Sequence, residues 1–145
     1  MTVRVAVVDS GINPDHPHVA QVKGGVFFDK GIESPDFVDR LGHGTAVAAV
    51  IHEKAPKADI YAVRIFNRRL SANIDTLMQG LQWSLANGMH VVNLSVGTAN
   101  EKHRVRFEDF LLRGCFQHVR RQRRKYVAGT VGGCDRSGVR PRMRP

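Results

Sequence analysis

Val3, Val5, Ala6, Val7 and Val8 form a nearly continuous β-branched run that stops at Asp9-Ser10-Gly11. An apolar run of this length, closed by turn formers, predicts a strand buried on both faces rather than a half-exposed one. Similar runs recur at 25–28, 60–65 and 91–94. Between the last two the period lengthens. Ile74, Leu77, Met78, Leu81 and Leu85 keep one apolar stripe over a helix expected at about Ser71 to Ala86, with Ser71 or Asn73 as its cap and Gly88 as its stop. A second helix is expected to begin at His43. Its small residues Gly44, Thr45, Ala46, Val47, Ala48 and Ala49 suit close packing against a sheet. The segment Glu101 to Leu112 can form a third, with Val105, Phe107, Phe110, Leu111 and Leu112 available for packing. Strands alternating with helices predict an α/β fold: three layers around a mostly parallel, doubly wound sheet. In such sheets reactive groups collect beyond the carboxyl ends of the strands, where Asp9 and the stretch from Asn93 to Gly97 both fall.

Composition changes this picture only towards the end of the chain. A length of 145 residues suits one domain, and hydrophobic and charged fractions of 42% and 24% are ordinary globular values. No apolar run approaches the ~18 residues of a membrane span, which argues against a membrane partner. Residues 1–100 hold 9 basic and 9 acidic side chains, whereas residues 101–145 hold 13 and 4, so the whole net charge of +9 lies in the last third. A domain remnant at 1–112 and a basic tail at 113–145 are therefore expected. Cys115 and Cys134 match neither a zinc spacing nor a disulfide framework. The N-terminus enters a strand pattern at once, without the features of a secretory signal, and reads as cytoplasmic.

The tail admits several readings. Arg120, Arg121, Arg123, Arg124 and Lys125 could contact phosphates, which would make the chain a nucleic-acid binder. Tyr126 is the sole close aromatic, which gives base stacking little support and favours a solvated, disordered basic run. Eleven of the 13 basic residues after position 100 are Arg, a bias also expected when GC-rich coding sequence is translated out of frame. Read one base later, the degenerate codons of Val127 to Asp135 permit Leu-Pro-Gly-Pro-Leu-Ala-Gly-Val-Ile, and a frame loss between about Glu108 and Arg120 would account for the change of composition.

Three patterns carry the chemistry: Asp9-Ser10-Gly11-Ile12, Asp39-Arg40-Leu41-Gly42-His43-Gly44-Thr45, and Val91-Val92-Asn93-Leu94-Ser95-Val96-Gly97. In this order, and in this strand and helix context, residues 3–98 resemble the catalytic domain of subtilisin-like serine proteases. The resemblance implies a subtilisin-like fold and peptide-bond hydrolysis through an acyl-enzyme, with a peptide or protein substrate. It makes Asp9 the triad aspartate that orients His43, and His43 the general base. Leu94, Ser95, Val96 and Gly97 match the segment whose main chain pairs with substrate as an added strand. No cofactor is implied. Calcium is common in the family, but the sequence does not place a site for it.

Rival chemistries fare less well. Ser10 neighbours Asp9 at a strand end where the family commonly has Ser or Thr, and reads as structural. His16, His18, His43 and His52 lack the i, i+4 pair with an adjoining Glu of a helical metalloprotease motif, so no metal site is assigned. The family's nucleophile lies in a Gly-Thr-Ser segment that these 145 residues do not contain, and no asparagine follows Asn100 to serve as oxyanion donor. Ser137 has neither a preceding Gly-Thr nor a helix to present it. The chain therefore reads as an N-terminal, inactive portion of a subtilisin-like endopeptidase, with a non-catalytic peptide-binding module as the alternative. A doubly wound sheet cut short would leave an unpaired edge and uncovered apolar clusters, which favour aggregation.

Overall fold

The computed structural model describes residues 2–19, 22–96, 102–110 and 126–128. The described strands are β1 (Arg4–Asp9), β2 (Val22–Asp29), β3 (Ile32–Ser34), β4 (Asp59–Arg64), β5 (Val91–Leu94) and β6 (Tyr126–Ala128), and the helices between them are α1 (His43–Lys54) and α2 (Ile74–Ala86). They build one sheet in the order β3-β2-β4-β1-β5-β6. β1 lies centrally and pairs in parallel with β4 and β5, β2 pairs in parallel with β4, and β6 in parallel with β5. Among the described strands only β3 runs antiparallel, against β2. Its turn is Lys30-Gly31, with φ of 49° and 83°. Two successive left-handed residues give the turn twist that matches a hairpin, which explains a strand that the apolar pattern did not announce.

Side-chain alternation along the parallel strands makes two cores. Ala6, Val8, Val26, Phe28, Val63 and Val92 face one side and pack with Leu77, Met78 and Leu81 of α2. Val7, Ile60 and Ala62 face the other and pack with Ala48 of α1, together with Ile12 and Val19. Central β1 is therefore apolar on both faces, as its unbroken run required, and the helices flank the sheet in three layers.

The apolar stripe places α2 correctly, though the helix starts at Ile74. The Oδ1 of Asn73 accepts from the Thr76 N–H at 2.7 Å, so Asn73 rather than Ser71 is the cap. Gly88, at φ 68°, ends it, and the Met89 N–H returns to the Ser84 carbonyl at 3.0 Å. Residues 102–110 are helical, with Phe107 buried in the α2-side core and Phe110 packed against it. Arg106 reaches Asp75 of α2 at 2.8 Å. β6 lies beyond residue 112, and residues 111–125 lie outside the described residues. Among the described residues no helix is long and apolar enough to cross a membrane.

Candidate active site at the carboxyl ends of the central strands

Parity places the carboxylate. Asp9 is the last residue of β1 and alternates with Val7, so it points to the α1 side of the sheet, where its surface is 0% exposed. His43 is the first residue of α1. Its Nδ1 lies 2.8 Å from Oδ2 and 2.9 Å from Oδ1 of Asp9. A carboxylate only accepts, so Nδ1 carries a ring proton, and in the neutral imidazole the lone pair is on Nε2. The Ser10 N–H donates to Oδ1 of Asp9 at 2.6 Å, giving the buried charge a second partner. The imidazole itself is 46% exposed, so it is supported from beneath and open above.

The two segments touch because neither carries a side chain where they cross. A Cβ on Gly44 would collide with the Gly11 carbonyl and come within 3.1 Å of Asp9 Cβ. A Cβ on Gly11, at φ 101°, would collide with the Phe37 carbonyl. The small-residue run after His43 is thus used unevenly: Gly44, Thr45 and Ala48 are buried, whereas Ala46 and Val50 face solvent.

Hydroxyls close the crossing. Ser10 Oγ accepts from the Gly44 N–H at 2.9 Å, so the serine set aside as structural caps the helix that carries His43. Thr45 Oγ1 accepts from the Asn13 N–H at 3.0 Å and donates to Asp39 Oδ2 at 2.6 Å. Asp39, Thr45 and Asn13 drew no role from sequence reasoning. The only signal available was the aspartate four residues before His43, where a short acceptor can serve a following turn.

Arg64 was also missed. It ends β4, register-paired with Asp9 on one side and Phe27 on the other, and is 1% exposed. Its guanidinium lies 4.0 Å from the Phe27 ring centroid. It donates to the Phe66 and Asp36 carbonyls, both at 3.2 Å, and pairs with the Asp36 carboxylate at 3.3 Å. Burial pulls its pKa down from the ordinary value and the Asp36 charge opposes the shift; an arginine stays charged regardless. The result is a fixed loop between β3 and α1.

Leu94, Ser95 and Val96 leave β5 beside this centre. Leu94 is paired with Val8, and the Ser95 N–H donates to the Val8 carbonyl at 3.3 Å, one residue before Asp9. Leu94 and Val96 pack against the α2-side core, which anchors the segment's side chains. Gly97, the last of the four, lies outside the described residues. Among the described residues no group of three or more His, Cys, Asp or Glu is placed to hold a metal ion.

The sequence profile of the subtilase family matches residues 1–132. The chain belongs to the subtilase family. The match passes through the compositional boundary at residue 112 and includes β6. The subtilase chain is 37% identical over 106 residues to the thermostable alkaline protease of Halalkalibacterium halodurans, covering 67% of this chain and 28% of that protein. It is 40% identical over 105 residues to Subtilisin Savinase of Lederbergia lenta, covering 66% of this chain and 38% of that protein. A crystal structure of a lanthipeptide protease superimposes with a TM-score of 0.66 at 25% identity, over 83% of this chain and 37% of that one. A cold-adapted subtilisin-like serine proteinase superimposes with a TM-score of 0.62 at 24% identity, over 77% of this chain and 43% of that one, and shares its fold. The chain thus spans less than half the length of each of these relatives.

Proposed function

We propose that this subtilase chain carries the base and the orienting carboxylate of a serine endopeptidase. The observation that carries the reading is the contact of one His43 nitrogen with both oxygens of a fully buried Asp9. In peptide-bond hydrolysis the Nε2 of His43 takes the proton from an attacking serine hydroxyl as the oxygen bonds to the carbonyl carbon. It then returns that proton to the leaving amine when the C–N bond breaks. Asp9 accepts from Nδ1 throughout and stabilises the imidazolium that exists between the two transfers. Leu94 to Gly97 would hold an extended peptide through main-chain hydrogen bonds, with the side chains of Leu94 and Val96 occupied in the core.

The 145 residues contain no Gly-Thr-Ser segment, so the chain by itself supplies a base without a nucleophile. Removing the nucleophile from a subtilisin triad lowers turnover by about a millionfold, roughly 8 kcal/mol of barrier. Incubated with casein, the purified chain is expected to release no fragments, and His43→Ala is expected to change nothing. Fragment release that a serine-directed fluorophosphonate blocks and His43→Ala abolishes would overturn this. Binding of an extended peptide, measured by calorimetry and lost when Gly97 is replaced by a bulky residue, tests the substrate segment separately.

A further inference from the structure

His43 is placed by the first turn of α1, and that turn lacks a cap of its own. Gly42 occupies the cap position at φ 86° and makes no side-chain cap bond. Ser10 Oγ takes the Gly44 N–H at 2.9 Å, and Asp39 supplies further acceptors from outside the helix. Its Oδ1 accepts from the N–H groups of Leu41 and Gly42, each at 2.9 Å. Its Oδ2 accepts from the Thr45 N–H at 2.9 Å and the Thr45 hydroxyl at 2.6 Å. One carboxylate therefore serves four donors of the turn that contains His43. Through the Thr45 hydroxyl, which also accepts from the Asn13 N–H at 3.0 Å, it reaches the loop that follows Asp9.

This arrangement bears on chemistry because the imidazole is carried by the first residue of that turn. His43 is the terminal residue of the helix and its ring is half exposed, with Asp9 as its hydrogen-bond partner. A helix end without acceptors for its first N–H groups frays, and fraying here would swing the ring away from a carboxylate that cannot follow. We infer that Asp39 is a positioning residue for His43: by capping α1 at Thr45 and tying Thr45 to Asn13, it keeps Nδ1 against Asp9 and so holds the proton on Nδ1. The role rests on reading Asp9 as the carboxylate that orients His43.

The test uses the full 145-residue chain labelled with 15N-histidine, in which imidazole nitrogen shifts report which nitrogen carries the proton. The His43 signals are assigned by their absence in His43→Gln. Wild type is expected to hold the proton chiefly on Nδ1, and Asp9→Asn to revert towards the Nε2–H form that a free imidazole prefers. Asp39→Ala is expected to lower the Nδ1–H to Nε2–H ratio by roughly fivefold, the scale of a lost helix cap. Thr45→Val is expected to shift it the same way by less, and Thr45→Ser to restore it. If Asp9→Asn changes the ratio while Asp39→Ala and Thr45→Val leave it at the wild-type value, the role of Asp39 is refuted and the Asp9–His43 reading stands. If Asp9→Asn also leaves it unchanged, the Asp9–His43 reading itself fails. Should Asp39→Ala not fold, the Thr45→Val and Thr45→Ser pair decides.

Discussion

Asp9 is a carboxylate with no exposed surface, and burying such a charge is tolerated only when partners replace its water. The Ser10 N–H and the His43 ring supply them. Their approach depends on Gly44, since an added Cβ would meet backbone rather than a yielding side chain. Gly44→Ala is therefore expected to cost about 1–3 kcal/mol in urea unfolding, at the scale of overpacking, and to separate His43 from Asp9. Asp39 makes a second prediction, concerning acid. Burial pushes its carboxyl up, but hydrogen bonds from the Thr45 hydroxyl and from the N–H groups of Leu41, Thr45 and Gly42 together outweigh that and hold it below the ordinary 3.8. A folded-state pKa that is lowered contributes stability in full above the unfolded value, and the contribution is lost as pH falls through the lowered one. The stability difference between wild type and Asp39→Ala, measured by urea titration, should be constant above about pH 5 and shrink below pH 3.8. At this scale Asp9 and His43 were legible because the order of short motifs fixes them. Asp39 and Thr45 were not, and Ser10 was read as structural without its partner, because a short polar side chain finds its partners through turn geometry that neighbouring residues alone do not specify.

At the scale of elements, periodicity carried most of the information. The stripe from Ile74 to Leu81 located α2, and only its first turn moved, because Asn73 reaches the Thr76 N–H. β2 begins at Val22, earlier than the apolar run at 25–28 suggested; Gly24 and Gly25 interrupt the pattern, and the register with β4 shifts there. β3 escaped notice because three residues are too few to show alternation, and its signal was the Lys30-Gly31 turn. The relative weights of cap and core can be measured on α2. Asn73→Ala is expected to cost about 1 kcal/mol, the loss of one cap bond. Leu81→Ala, at a side chain 2% exposed in the α2-side core, is expected to cost about 2–5 kcal/mol. Arg64→Ala should fall between them in chemical denaturation: breaking a fully buried ion pair costs about 3–5 kcal/mol, but Asp36 is 40% exposed and water can take over its charge.

At the scale of the molecule, sheet order and side-chain parity together make the site. β1 sits between β4 and β5, so its carboxyl end is flanked by Arg64 on one side and Leu94 on the other, while α1 crosses above it. Nothing in composition could have given that adjacency; it follows from crossover connections that return parallel strands to the middle of a sheet. The subtilase match and the fold agree on the frame that the motifs implied, over less than half the length of the relatives. The proposed catalytic role rests on a buried Asp9 being joined to a half-exposed His43. A proton spectrum of the chain in cold, mildly alkaline buffer addresses it most directly. A slowly exchanging imidazole N–H far downfield of the amide region, present in wild type and missing from both Asp9→Asn and His43→Gln, is the expected result; its persistence in a folded Asp9→Asn protein would show that the two side chains are not joined.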